Sequence, residues 1–297
     1  MRIFVTGASG FVGSAVVNEL ISAGHEVLGL ARSDASAAAL IAAGAEVHRG
    51  SLEDIDSLKR GAAEADGVIH TAFNHDFSRF AQNCEDDRRV IEALGSVLAG
   101  SDRPLIVTSG TGLDVPPGHA ATEEDPHLPA SVVPRAASEE GADAALAAGA
   151  NVSVVRLPQV HNTIRQGLVS YTIAIAREKQ QAAYVGDGSN RWSAVHLLDA
   201  ARVYRLAIEK AQRGAKYHAI AEEGVANRDI AEVVGRQLKV PVVSIAAEKA
   251  AAYFGWLAAF AARDMPASSA LTRKRLGWQP VGPGLLADLE RLQLATG

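Results

Sequence analysis

Along the first half of the chain, short apolar runs alternate with stretches in which apolar residues recur every three or four positions. The runs Arg2–Gly7, His25–Ala31, Ala45–Gly50, Asp66–Ala72, Pro104–Gly110 and Asn151–Leu157 are aliphatic or β-branched through their middles, which predicts strands covered on both faces. Between them, Phe11–Gly24 places Val12, Ala15, Val16 and Leu20 at helical spacing and ends on a glycine suited to a left-handed C-terminal cap. Ala35–Gly44 and the Ala-rich Ser138–Gly149 end the same way. Strands alternating with helices predict an α/β fold, a doubly wound parallel sheet joined by crossover helices.

From about Asn162 the pattern loosens. A hairpin is expected around Val185–Trp192, with later strands near Tyr217 and Val242. The expected division is a first domain over 1–161, rejoined by a helical stretch within 196–214, and a smaller mixed C-terminal substrate lobe over 162–297. The Pro-rich stretch Val115–Pro129 reads as a long loop, and such loops are often functional. The segment Ala250–Ala262 can serve as core, as an interface or as a lid, with core favoured.

Composition narrows the classes. The 297 residues carry a net charge of -5, with 34 acidic and 29 basic residues dispersed along the chain, so no basic face suggests nucleic acid. Cys84 is the only cysteine, which excludes an internal disulfide and a multi-cysteine metal site. The first strand begins at Arg2 and no apolar run reaches membrane length, so a cytoplasmic protein without a membrane partner is expected. His70, His75 and Asp76 form no unit at ligand spacing, and no metal is expected. The run Glu85–Arg89 reads as a solvated helix face.

The sharpest chemistry lies in Thr6–Gly13, TGASGFVG, between the first strand and the first helix. Backbone N–H groups at a helix N-terminus bind phosphate, and glycine is required wherever a side chain would block the approach. Gly7, Gly10 and Gly13 meet that need, with Ser9, Phe11 and Val12 beside them, so a dinucleotide site of Rossmann type is expected. Where the second strand ends, a carboxylate would hold the ribose hydroxyls of NAD. Here Ala31 is followed by Arg32 and Ser33, a cation and a hydroxyl suited to the extra phosphate of NADP(H).

The spacing TGxxGxxG, with GSLED after the third strand, IHTA at the fourth, VTSGT at the fifth, RLPQV after the sixth and AVHLLDAA further on, resembles the extended short-chain dehydrogenase/reductase family, also called the NAD-dependent epimerase/dehydratase family. The resemblance covers most of the chain. It implies that Ser51 and Leu52 lie by the adenine, Thr71, Ala72 and Phe73 by the nicotinamide ribose, and Pro158 and Val160 against the nicotinamide. Ser51 stands where the family often has Asp.

One departure matters most. The family's Tyr, with a Lys four residues on, belongs on the helix before the sixth strand, yet no YxxxK exists anywhere in the chain. The equivalent places hold Arg135 and Glu139, spaced for an i,i+4 ion pair on a solvated face. Alternatively Arg135 faces the pocket and orients a substrate carbonyl or carboxylate, though its high pKa prevents it from acting as an acid. His161 is the expected general acid or base, since imidazole titrates in the useful range. Ser109, with Thr111 as its rival, is expected to meet a substrate oxygen at the end of the fifth strand. Arg191, Trp192 and His196 are further candidates for the substrate lobe.

These features lead to an NADP(H)-dependent oxidoreductase of an atypical branch, acting on a carbonyl or imine-like group of a small organic substrate, the chain being compatible with a homodimer. A catalytically inactive NADP(H)-sensing regulatory protein is the alternative, and a sugar-nucleotide epimerase or dehydratase the third.

Overall fold

A computed structural model describes residues 1–111, 116 and 118–293. All six strands expected in the first half form. They are β1 (Arg2–Thr6), β2 (Glu26–Ala31), β3 (Glu46–Arg49), β4 (Gly67–His70), β5 (Pro104–Gly110) and β6 (Asn151–Leu157). Helices α1 (Phe11–Ser22), α2 (Asp34–Ala42), α3 (Ile55–Ala63), α4 (Phe80–Leu98) and α5 (Ala137–Ala147) connect them. Further along come β7 (Gln159–His161), α6 (Val169–Lys179), β8 (Ala182–Val185), β9 (Arg191–His196), α7 (Leu197–Lys210), β10 (Lys216–His218), β11 (Glu222–Ala226), α8 (Asn227–Leu238) and β12 (Val242–Ile245).

The main sheet is seven-stranded and parallel throughout, in the order β10-β6-β5-β4-β1-β2-β3. Its interior strands are almost fully buried because helices cover both faces. One apolar layer joins α1, α2 and α7 to the sheet through residues such as Val16, Leu20, Leu40 and Tyr204. The other joins α3, α4 and α5 through Leu58, Ile91, Leu94 and Ala145. Strand order reverses between β1 and β4, which opens a crevice outside their C-terminal ends.

Two expectations change. The strand at Tyr217 belongs to the first lobe, not the second: α7 crosses back and delivers β10 to the edge of the main sheet beside β6. The hairpin over Val185–Trp192 does not form. β8 pairs with β12, whereas β9 pairs with β7 and β11, so the intervening turn passes the chain from one sheet to another. Gly186 and Gly188, both at positive φ, allow that turn. The smaller lobe is therefore mixed, with a three-stranded and a two-stranded sheet packed on α6 and α8. Among the described residues no helix is long and apolar enough to cross a membrane. Part of the Val115–Pro129 loop, namely Val115 and Pro117, lies outside the described residues.

Candidate active site

The Gly-rich turn is shaped by contact. A Cβ on Gly13 would lie 2.0 Å from the Gly7 carbonyl oxygen, and one on Gly7 would lie 2.6 Å from the Ala72 nitrogen. Gly7 also sits at φ +67, a left-handed conformation that side chains resist. Helix α1 thus packs directly on the loops leaving β1 and β4. It begins at Gly10 with no side-chain cap, which leaves the N–H groups of its first turn to be satisfied from the crevice.

That crevice is a cleft of about 1490 Å³ running between the lobes, large enough for a dinucleotide and a second molecule. Gly7, Ser9, Gly10, Phe11, Val12 and Gly13 line its floor. Arg32, Ser51 and Leu52 line one end, and Thr71, Ala72, Phe73, Pro158 and Val160 line it further along. Ser33 does not line the cleft: its hydroxyl caps α2, accepting from the Ser36 N–H at 3.2 Å, and Ser36 takes the place on the cleft wall. The residues present therefore fit a dinucleotide, with the uncapped α1 terminus open to the cleft floor and Arg32 on the wall at one end. Glu53 shares that end; hydrogen bonding from Ser51 holds its carboxyl below the usual range, with a smaller contribution from Arg32.

Arg135 reaches the cleft wall from just before α5. Its guanidinium lies 4.3 Å above the Phe73 ring and donates to Asp87 Oδ2 at 3.1 Å, to the Ser138 hydroxyl, and to the Thr108 carbonyl at 3.0 Å. Behind it a buried network continues inward. Ser138 donates to Asp87, whose other oxygen accepts from His70 Nε2 at 2.9 Å, and His70 Nδ1 meets the Thr6 hydroxyl at 2.7 Å. Burial alone would raise the Asp87 carboxyl, but His70, Arg135 and Ser138 outweigh it and hold the group below the usual range. The reading of Glu85–Arg89 as a solvated face therefore fails at Asp87, which is 4% exposed.

The expected Arg135–Glu139 pair does not form either. Glu139 is buried and receives a bidentate Arg156, with Nε at 2.8 Å and Nη2 at 2.7 Å, while Lys216 stands 3.6 Å away. Arg135 starts on the short turn before α5, so its side chain points to α4 and away from Glu139. Ser109 lines the cleft and helps to hold the Glu139 carboxyl down, behind the larger effects of burial, which raises it, and of Arg156. Thr111 also lines the cleft, with its hydroxyl donating to the Leu157 carbonyl at 3.3 Å.

The remaining candidates lie elsewhere. His161 is fully buried, with Nδ1 2.7 Å from Asp288 Oδ2 and Nε2 without a hydrogen bond. It packs against the C-terminal segment through Asp288 and is absent from the cleft lining, although Gln159 and Val160 beside it line the cleft, so it is not placed to exchange a proton there. His196 caps α7 with its ring 5.8 Å from that of His161. Trp192 is fully buried core of the small lobe. Arg191 is held by Asp264 at 2.9 and 3.1 Å. None of the three lines the cleft.

Sequence reasoning passed over several residues that do line it: His75, Arg165, Arg263 and an aromatic group formed by Phe77, Phe80, Tyr171 and Phe260. Burial lowers the His75 imidazole, with Arg135 adding to the effect. Arg165 lies 6.0 Å from the Phe11 ring, beside the α1 terminus. Among the described residues no group of three or more His, Cys, Asp or Glu is arranged to hold a metal ion.

The family model for the NAD-dependent epimerase/dehydratase family matches residues 3–221. The chain belongs to that family. Two uncharacterized proteins, from Schizosaccharomyces pombe and Saccharomyces cerevisiae, are each 47% identical to this member over 97% of its length and 98% of theirs. A decarboxylating sterol-4-alpha-carboxylate 3-dehydrogenase of Dictyostelium discoideum is 29% identical, covering 76% of this chain and 73% of that protein. Among solved structures, the dTDP-glucose 4,6-dehydratase DesIV of Streptomyces venezuelae, with NAD bound, superimposes with a TM-score of 0.77 at 21% identity, covering 98% of this chain and 95% of that one. At that identity the likeness is one of fold. Family members are NAD(P)-dependent oxidoreductases and epimerases.

Proposed function

We propose that the protein is an NADP(H)-dependent oxidoreductase that reduces a carbonyl or imine-like group of a small organic substrate. The observation that carries the cofactor choice is the adenine end of the cleft. β2 ends on the buried Ala31, which has no carboxylate for ribose hydroxyls, and Arg32 follows on the cleft wall with Ser36 and the N-terminus of α2 beside it. A guanidinium, a hydroxyl and a helix N-terminus suit a 2′-phosphate. Arg32→Asp should weaken NADP⁺ binding by about 1–3 kcal/mol, the range for charge-assisted bonds. Equal affinities of the unmutated protein for NAD⁺ and NADP⁺, by calorimetry, would overturn the assignment.

When bound, the nicotinamide supplies a hydride to the carbonyl carbon, and the oxygen then takes a proton. Ser109 and Thr111, at the end of β5, lie where the substrate oxygen is expected, and Arg135 orients it without donating a proton. His75 takes the proton-donor role first expected of His161, because it is the one histidine among the described lining residues. His75→Gln should lower kcat with little change in NADPH affinity.

A second reading rests on one observation. Arg135 and Glu139, at the family's Tyr and Lys places, are both committed to internal ion pairs. A regulatory protein that senses NADP(H) fits that arrangement, and it predicts tight NADPH binding with no turnover across a broad panel of ketones, aldehydes and imines. Sugar-nucleotide chemistry, as named for several structural neighbours, is disfavoured by the missing Tyr.

A further inference from the structure

The two ends of the cleft differ in chemistry. Arg32 follows β2 on one side of β1, whereas Phe73 follows β4 on the other. At the Phe73 end the lining is a connected set of aromatic rings. Phe73 meets Phe80 at 6.1 Å, Phe80 stacks on Phe77 at 5.6 Å, and Tyr171, from the smaller lobe, stands edge-on to Phe77 at 5.8 Å. Trp256 does not line the cleft but stacks on Phe77 at 4.2 Å, so that ring is braced from the other lobe. Phe73, Phe77 and Phe80 are only half-buried, and Val132, on the turn that leads to Arg135, is 64% exposed. Apolar surface left open inside a cleft favours a ligand with apolar area of its own.

The polar groups near these rings are largely spent within the protein. The side-chain oxygens of Asn74, Gln159 and Ser170 each accept from a backbone N–H, that of Asp76 at 3.0 Å, of Leu168 at 2.7 Å and of Gln166 at 2.8 Å. Arg135 is paired with Asp87 at 3.1 Å, so the two charges cancel at a distance and a substrate anion gains little there. Arg263 is engaged within the protein as well, and Arg165 stands beside the Phe11 ring at the α1 terminus. Glu53, the single carboxylate among the described lining residues, belongs to the Arg32 end. A sugar would leave hydroxyls short of acceptors here. A carboxylate among the rings would lose its hydration with neither Arg135 nor Arg263 free to replace it, and a hydrocarbon body avoids both costs.

We propose that this end of the cleft takes a neutral carbonyl compound with a hydrocarbon body, the apolar part lying against Phe73, Phe77, Phe80 and Tyr171. The proposal rests on the oxidoreductase reading for its carbonyl but not for its apolar body. The reaction balances as transfer of hydride from NADPH to the carbonyl carbon with uptake of one proton by the oxygen, leaving an alcohol and NADP⁺.

The test is calorimetry on the NADP⁺-loaded protein with 2-hexanone, 2-octanone and 2-decanone, followed by NADPH oxidation with the same ketones. Two further probes are UDP-glucose and 7-oxooctanoate, in which a carboxylate replaces the terminal methyl of 2-octanone. Affinity should rise about fourfold for each added methylene, the scale for burying one CH₂ group. 7-Oxooctanoate should bind about tenfold or more weakly than 2-octanone, and UDP-glucose more weakly than 2-decanone. Phe77→Ala should flatten the series. Because Phe77 also meets Trp256, Val132→Asp, at an exposed side chain, provides a second variant, and it should weaken 2-decanone at an unchanged thermal midpoint. Flat affinity or no binding along the series would overturn the proposal. So would a keto acid or UDP-glucose that binds more tightly than its neutral counterpart, or a ketone series that neither variant moves. The expected series without NADPH oxidation supports the apolar substrate class and removes the oxidoreductase reading. Oxidation with glyceraldehyde alongside a flat ketone series does the reverse.

Discussion

His218 makes a prediction about acid stability that can be worked through from its hydrogen bonds. The ring is fully buried on β10, Nδ1 donates to the Ser268 carbonyl at 2.9 Å, and Nε2 accepts from Arg156 Nη1 at 3.3 Å. The Ser268 carbonyl fixes the Nδ1–H tautomer, and Arg156 selects the neutral imidazole, because a proton on Nε2 would point at a guanidinium. Burial first and Arg156 second, against the opposing Glu123 and Glu139, bring its pKa from 6.5 to about 4. The unfolded chain therefore binds a proton that the folded protein refuses, and stability falls as pH drops below 6.5, levelling off below about 4. At 1.36 kcal/mol per pH unit the loss reaches about 2 kcal/mol at pH 5 and about 3 kcal/mol at pH 4. Other groups titrate in the same window, including His161, which burial also lowers. The difference between wild type and His218→Gln removes them, since glutamine offers a donor and an acceptor but does not titrate. Urea denaturation at pH 7.5 and pH 5 should show wild type losing about 2 kcal/mol more than the variant. Parallel losses would refute the reasoning, as would an imidazole resonance of His218 that titrates near 6.5 in the folded protein.

Three further outcomes are expected. Gly13→Ala should destabilise by about 1–3 kcal/mol in thermal melts and abolish dinucleotide binding, because its Cβ meets backbone that cannot move without opening the turn. Glu139→Lys, which places the family's lysine at its usual position, should destabilise by at least about 3–5 kcal/mol and restore no activity even with Arg135→Tyr, since Arg156 and Lys216 would then face a third cation; a stable, active double variant would refute this. Burial pushes the Cys84 thiol up to about 11, so a thiol reagent at pH 8 should modify it only at the rate of unfolding, and rapid native-state labelling would count against the buried position.

Most of the first lobe was legible because its strands and helices obey simple periods, and each glycine that ended a predicted helix, Gly24, Gly44 and Gly149, does sit at positive φ. The Gly-rich turn was legible for the same reason: backbone contact constrains Gly7 and Gly13, and such constraints mark the sequence. Asp87 was missed although a signal existed. Cys84, Asp87, Val90, Ile91 and Leu94 fall on one helical stripe, so an acid in phase with the apolar residues deserved separation from the charged run around it. The pairing of Arg135 with Asp87 and of Glu139 with Arg156 had no local signal, because each partner is distant in the chain. His161 misled because Gln159 and Val160 just before it do line the cleft, whereas the imidazole is sealed against Asp288, a partner 127 residues away that no local pattern announces. Of the aromatic contacts between the lobes, residues 256–260 lay in the segment read as core, interface or lid, whereas Phe77 and Tyr171 come from distant segments that meet it only when the lobes do.

The return of α7 to deliver β10 has a consequence for synthesis and truncation. The main sheet closes its edge only with Lys216–His218, after the chain has laid down β7, α6, β8 and β9 of the other lobe. A nascent chain halted near residue 161 lacks both the helix that covers one face around Tyr204 and the strand that shields β6. Such a fragment exposes an apolar face and an open strand edge, the two features that drive aggregation. The lobes are consequently interleaved products of one folding event, and the smaller one emerges as an excursion that the larger must wait for.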